Sequence, residues 1–494
     1  MKSPLIIMAL CIVALQSYAV EESARSQNSG ESPSTAAKVF RAGAATSNIT
    51  PFLGTSIIGG FAPKGSLHIH DELHVRCLVL DDGETRLAFA IVDNVQIPHE
   101  FFDAAKQLIH EKTSLPMENM LMAATHSHSA PSLRGTSYTV LEQPFDEYQK
   151  FVIRRIADGI QRAINHLEPA RIGWGVGEVP QHVFNRRWLL KDGKTVTSPF
   201  GDEDLAATNP GRYAKDLLKP AGPVNPKVYF LSVESTAGRP IALLANHWLH
   251  YVGGVGKGHI SADYFGVFSQ RIAQLLAPAG QQPAFVGMLS NGASGDINNN
   301  DYASYSKKKR RSYAPYEKMK LVAEDLAQEV LRVRKTIKYQ DWVKLGAAQA
   351  AITLRYRRPD ADQLKRAQAI LEKPQPDSRD YTRQALFARR AIDVAKFPET
   401  LDIAAQVFRI GDLGIAALPF EVFTEIGLEI ENKSPFGETF TIELANGGNG
   451  YLPSPKQHEL GGYETWLTVN RVEKGASPKI VKKLTELFLQ LKNE

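Results

Sequence analysis

Cysteine is nearly absent from this chain: its 494 residues include two. Cys11 falls in an amino-terminal apolar run, so Cys77 has no partner in the rest of the chain and a disulfide framework is excluded. Cys77 lies in the apolar stretch Val75 to Leu80 and reads as a core thiol rather than a nucleophile. Long apolar runs are also missing. The run Leu5 to Leu15 is too short for a membrane helix, and nothing after it approaches the ~20 residues a span needs. A strong excess of one charge is lacking too, since a net charge of +5 is too weak to imply nucleic acid. The one dense basic run, Lys307-Lys308-Lys309-Arg310-Arg311, reads as a solvated loop.

What is present is the composition of a globular protein with a large core, 43% hydrophobic and 22% charged. Lys2, the apolar run and then Ser17-Tyr18-Ala19 form an export-signal pattern over residues 1–19, which predicts a secreted or periplasmic protein. Residues 20–38, rich in Ser, Glu, Gly and Ala, read as a flexible leader. From Val39 onward, short apolar runs bounded by turn residues predict strands, among them Val75 to Leu80, Leu87 to Val92, Met120 to Ala124, Lys227 to Val233, Pro240 to Asn246 and Leu413 to Leu418. Helical patterns alternate with them, at Glu100 to Glu111, Phe145 to Leu167, Gly266 to Leu276, Pro315 to Val333 and Pro478 to Lys492. Alternation of this kind predicts an α/β fold of layered mixed β-sheets flanked by helices, as a single large catalytic domain over residues 39–494. Residues 359–396 read as a surface helical excursion, and no internal repeat is visible.

Four segments place polar residues at the ends of predicted strands, where α/β folds gather their sites. The first is Ala124-Thr125-His126-Ser127-His128-Ser129-Ala130-Pro131; on a strand, His126 and His128 would share a face and point into one pocket. The second is Asn246-His247-Trp248-Leu249-His250, whose two histidines fit a helical face but not one face of a strand. The third is Leu418-Pro419-Phe420-Glu421, where the carboxylate is either a ligand or the cap of a following helix. The fourth is the loop Asn446-Gly447-Gly448-Asn449-Gly450-Tyr451, which presents a phenol.

Together these segments resemble the neutral/alkaline, non-lysosomal ceramidases, zinc amidases with an Ala-Thr-His-x-His-Ser-x-Pro signature. The resemblance extends over nearly all the mature chain, taking in Gly43-Ala44-Ala45-Thr46-Ser47-Asn48-Ile49-Thr50-Pro51, His70-Asp71-Glu72-Leu73, Asp82-Gly83 and Asp93. It implies zinc held by His126, His250, Glu421 and Tyr451, with His250 preferred over His247. It further implies that His128 contacts the substrate carbonyl or relays a proton, that Arg186 supports the reacting amide with Arg187 as competitor, and that Tyr463 stabilises an oxyanion. The substrate it implies is a small-molecule or lipid amide.

The chain also departs from that family. Where the family carries a catalytic serine in Ser-Asn-x-Gly-Asp-x-Ser-Pro-Asn, this chain has Ser290-Asn291-Gly292-Ala293-Ser294-Gly295-Asp296-Ile297-Asn298-Asn299, which aligns that serine with Asn298. Ser294 is either a substitute or a turn residue. With no aligned serine, attack by water activated at the metal is expected rather than an acyl-enzyme. The family's carboxy-terminal sandwich domain has no counterpart either. Two other readings remain: a hydrolase of a different amide or ester, and a non-catalytic exported metal-binding protein.

Overall fold

Side chains alternate along the strands, and that alternation builds the layers of the fold. The computed structural model describes residues 38–57, 59, 64–131, 133, 144–307, 311–374 and 383–494. The expected signal peptide and nearly all of the leader lie outside these residues, as do positions 308–310 of the basic run. In β1 (Arg41–Asn48), β2 (His74–Asp81), β3 (Arg86–Val92) and β4 (Met120–Ala124), alternate residues face two ways. Cys77, Val79, Ala88, Ala90, Met120 and Met122 pack against α1 (His99–Thr113) and α2 (Glu147–Asn165). Leu78, Leu80, Leu87, Phe89 and Leu121 face a second sheet instead. Cys77 is the core thiol the sequence suggests: it is buried, and a Cβ on Gly159 of α2 would come within 2.7 Å of its sulfur.

The unit built in this way, three antiparallel strands, a helix, a fourth strand parallel to the third and a closing helix, occurs three times. The second copy is β5 (Glu168–Glu178), β6 (Lys227–Ser235), β7 (Pro240–His247), α3 (Asp263–Leu276), β8 (Val286–Asn291) and α4 (Glu317–Arg334). In the third, β9 (Leu345–Arg355) is followed by the inserted α5 (Ala361–Leu371) and α6 (Arg383–Val394). It continues with β10 (Thr400–Ile410), β11 (Leu413–Ala417), α7 (Thr424–Lys433), β12 (Glu438–Ile442), the short α8 (Pro455–Leu460) and α9 (Ala476–Asn493). The pairings match copy for copy, with β3–β4, β7–β8 and β11–β12 parallel and the rest of each meander antiparallel. In each copy the closing helix packs on the first two strands. The sequence shows no repeat because the copies share topology and apolar patterning rather than residues.

Copies one and two join into an eight-stranded sheet through two residue pairs, Arg41 with Pro169 and Ala42 with Glu168. Copy three forms its own four-stranded sheet, and the inner faces meet at contacts such as Phe89 on Phe408. The layered α/β architecture is thus the one expected. The carboxyl ends of the parallel pairs converge: Asn446 N donates to Met122 O (2.7 Å), Glu443 N to Asn291 O (3.1 Å) and Asn246 Nδ2 to Thr441 O (3.1 Å). That junction positions the site.

The surface excursion differs from expectation. α5 is largely exposed, but α6 buries Phe387 against Trp466, because its apolar stripe covers the open flank of the third core. Arg311, at the end of the basic run, is exposed and pairs with Glu317. Among the described residues, no helix is long and apolar enough to cross a membrane.

Candidate metal centre

Each copy of the repeat feeds the pocket from loops that follow its third or fourth strand. β4 stops at Ala124, and His126 turns into the left-handed region at φ 68°. The expected placement of His126 and His128 on one strand face therefore does not hold. The two rings converge from a turn, since a left-handed residue interrupts the pleat. A buried pair between Arg76 and Asp93 (2.7 and 2.8 Å) pins the loop after β3, and the carbonyl of Val95 in that loop lies 2.8 Å from His126 Nδ1. This contact holds the ring proton on Nδ1 and leaves Nε2 as a bare lone pair.

Other donor atoms crowd that lone pair. His128 Nε2 and His250 Nε2 each lie 3.0 Å away, and Glu421 Oε2 lies 3.4 Å from His126 Nε2 and 3.6 Å from His250 Nε2. The three imidazole donor atoms all fall within 4.8 Å of one another. Burial holds His126, His128 and His250 below their ordinary pKa, so the rings are neutral. Glu421 Oε2 is buried with no hydrogen-bond partner among the described residues. Such a group is costly unless a cation fills the space. In a tetrahedral zinc site with bonds near 2.1 Å, neighbouring ligand atoms sit about 3.4 Å apart. The spacing of His126, His250 and Glu421 brackets that value, so these residues fit a divalent ion.

Glu421 does not cap α7, whose capping position is Phe423. Instead Glu421-Val422 pairs in parallel with Tyr451-Leu452, which puts Glu421 and Tyr451 side by side in register. Gly450 makes that approach possible: at φ 78°, a Cβ there would meet Val469 O at 2.2 Å. Burial pushes the Tyr451 phenol well above its ordinary range, against the pull of Arg186, whose guanidinium lies 5.2 Å from the ring centre. Arg186 is tied to Glu464 Oε1 (2.9 Å) and Gly295 O (2.7 Å). Burial lowers its pKa, but Tyr451 and Glu464 outweigh that and hold it well above normal. Arg187 turns away, to Glu464 Oε2 (2.8 Å) and Gly461 O (2.7 Å). Tyr463 sits edge-on to Tyr451 with ring centres 5.9 Å apart.

The remaining candidates lie elsewhere. His247 points away from the cluster, with Nδ1 3.0 Å from Lys227 O. Asn298 donates to Asn209 Oδ1 (2.8 Å) and the Tyr302 hydroxyl (3.2 Å). Ser294 Oγ is fully buried, 2.7 Å from Glu443 Oε1 and 3.0 Å from Asn291 Oδ1. Glu443 went unnoticed in the sequence, although a carboxyl inside the apolar run Thr439 to Leu444 was a signal. Its Oε2 also accepts from Ser294 N (3.2 Å) and Val422 N (2.8 Å), so it braces the strand that carries Glu421. Tyr251 was missed as well, and stacks on His128 at 3.7 Å. The cluster opens on a cavity of about 230 Å³ bordered by His128, Ser129 and Tyr251. Trp248 does not cover it, being packed against Gly292 and Gly427.

Fold and site together define a layered α/β protein with a buried cluster of three histidines able to hold a metal ion. By sequence, the chain matches no family model and no curated protein. Among solved structures, it is similar to neutral ceramidase from Pseudomonas aeruginosa, with a TM-score of 0.67 at 15% identity over 92% of this chain and 75% of that one. A ceramidase complexed with C2 gives the same score and identity, covering 92% of this chain and 76% of the other. At that identity the likeness is one of fold.

Proposed function

We propose that this protein is a zinc-dependent amide hydrolase similar to the neutral ceramidases, using water to cleave an N-acyl bond. The reading is carried by the convergence of His126 Nε2, His250 Nε2 and Glu421 Oε2 at 3.0–3.6 Å, with the His126 ring proton held on the opposite nitrogen. His126, His250 and Glu421 would hold the ion, with Tyr451 as the fourth ligand; neutral imidazoles and oxygen donors suit Zn²⁺. When bound, the ion supplies Lewis acidity and lowers the pKa of a water toward ~7.

The chain's own groups do the rest. His128 touches both the cluster and the cavity, and its stacking on Tyr251 fixes the ring. It is placed to take a proton from the attacking water and return it to the amine nitrogen as the C–N bond breaks and the new C–O bond forms. Arg186 and Tyr463 flank Tyr451 and stabilise the charge that gathers on the carbonyl oxygen. Ser294 and Asn298 are both engaged in other hydrogen bonds, which favours direct attack by water over an acyl-enzyme. The open cavity beside His128 favours catalysis over a purely structural ion, since structural zinc sites are closed.

Metal analysis of the purified protein tests the reading. About one zinc per chain is expected, lost together with amidase activity in His126→Ala and in Glu421→Ala. Wild-type protein that binds no metal and gains nothing from added zinc would sink it.

A further inference from the structure

The cavity beside His128 has a wall that the hydrolysis itself does not require. Residues 253–258, Gly-Gly-Val-Gly-Lys-Gly, line it, together with Lys64 from the opposite side. Gly253, Gly254 and Gly258 adopt φ of 73°, 75° and 76°, the left-handed conformation that recurs in anion-binding loops. Among the described residues, the amides of Gly254, Val255, Lys257 and Gly258 have no hydrogen-bond partner, and neither Lys64 nor Lys257 has an ion-pair partner. The one acidic side chain on the described lining is Asp263, and its oxygens are taken by the amides of Val252 (3.2 Å), Gly253 (2.8 Å) and Tyr264 (2.6 Å). The rest of the described lining is Lys64, Lys257, the rings of His128, Tyr251 and His259, Ser129 and the glycines, with Ile57 and Val255 the only aliphatic side chains. At about 230 Å³ it is smaller than the ~300–1,000 Å³ of pockets that enclose drug-sized ligands.

We infer that this cavity receives a small anionic group on the amine half of the substrate, held by Lys64, Lys257 and the 253–258 amides, which makes an N-acyl amino acid the favoured substrate class. The inference rests on the amide-hydrolase reading and narrows it: a small cavity bordered by two lysines, with no free carboxylate on its described lining, suits a carboxylate and suits a long-chain amino alcohol poorly. A phosphate on the amine half would satisfy the same donors.

The test compares N-decanoylglycine, N-decanoylphosphoethanolamine and neutral N-decanoylglycinamide on zinc-loaded wild type and on the Lys64→Ala/Lys257→Ala double variant. Both lysines are exposed, so the variant should fold, and circular dichroism checks that it does. We expect wild type to prefer at least one anionic amide over the neutral one by about tenfold or more in kcat/KM, with the better of the two identifying the anion, and the variant to lose most of that preference through KM. A wild-type preference of one or less, or a preference the variant retains in full, overturns the inference. If wild type cleaves none of the three, the amide-hydrolase reading fails, and binding by calorimetry then decides the anion site alone. About tenfold tighter binding of an anionic amide, weakened in the variant, supports it, and equal binding of all three overturns it.

Discussion

Glu421 and Glu443 are two buried carboxyls held on adjoining segments of the third repeat, and the chain treats them in opposite ways. Every approach to Glu443 is filled, by the hydroxyl and amide of Ser294 and by the amide of Val422. Glu421 turns Oε2 toward the Nε2 atoms of His126 and His250 and accepts no hydrogen bond there among the described residues. Burial pushes the Glu443 carboxyl well above the usual range, and among the described residues it has no ion-pair partner. Ser294 has one hydroxyl proton but faces two acceptors, Glu443 Oε1 and Asn291 Oδ1. A protonated Glu443 resolves this, donating to Ser294 Oγ while Ser294 donates to Asn291. One carboxyl is thus a finished structural brace, and the other keeps an oxygen open to the cation we propose. Burial alone does not separate support from function, whereas partner counts do.

The largest effect falls on the side of Glu421. Glu421→Ala and His126→Ala should each lower zinc content to below about a tenth per chain and amidase activity by at least about a hundredfold, as loss of a major electrostatic group does. His128→Ala separates the third imidazole from the other two: we expect zinc retained and kcat down by about a hundredfold, the lower range for losing an acid–base group. Zinc lost to the same extent as in His126→Ala would make His128 a ligand.

On the finished side, Glu443→Ala strands two amides and a hydroxyl, and denaturant unfolding should show a loss of about 4 kcal/mol. Glu443→Gln can donate to Ser294 Oγ and accept from both amides, so it should stay within about 1 kcal/mol of wild type. A glutamine variant as unstable as the alanine one would show that Glu443 is charged.

The smallest effect contrasts His247, the last residue of β7, with His250 in the loop that follows. His250 joins the cluster, whereas His247 is a buried structural ring whose pKa burial pushes down from 6.5 to about 4. A depressed histidine adds stability that is whole above pH 6.5 and is lost as pH falls toward 4, by up to about 3 kcal/mol. His247→Gln should flatten the acid limb of a stability–pH curve, and an unaltered limb would count against this assignment.

Much of this architecture was legible because strand runs such as Leu87 to Val92 are apolar throughout and bounded by turn residues. β9 was not, since Gly346-Ala347-Ala348-Gln349-Ala350-Ala351 carries no branched or aromatic residue before Ile352; its strand form is imposed by pairing with β10. The threefold repeat was hidden for a related reason, because matching positions in the copies need only matching polarity. At the site, His126, His250, Glu421 and Tyr451 could be singled out only through the family resemblance that the strand-end segments carry. Their supports could not: Val95 acts through a backbone carbonyl, which any residue would supply. The choice between Arg186 and Arg187 required knowing which way each turns about Glu464.

His126 sits at φ 68°, where a side chain costs of order 1–3 kcal/mol that glycine would not incur. Stability and chemistry therefore pull in opposite directions at this position. Glycine at 126 should yield a protein that survives heating better than the alanine variant while holding no more metal. A screen that rewards thermal endurance alone would erode the centre from this residue first.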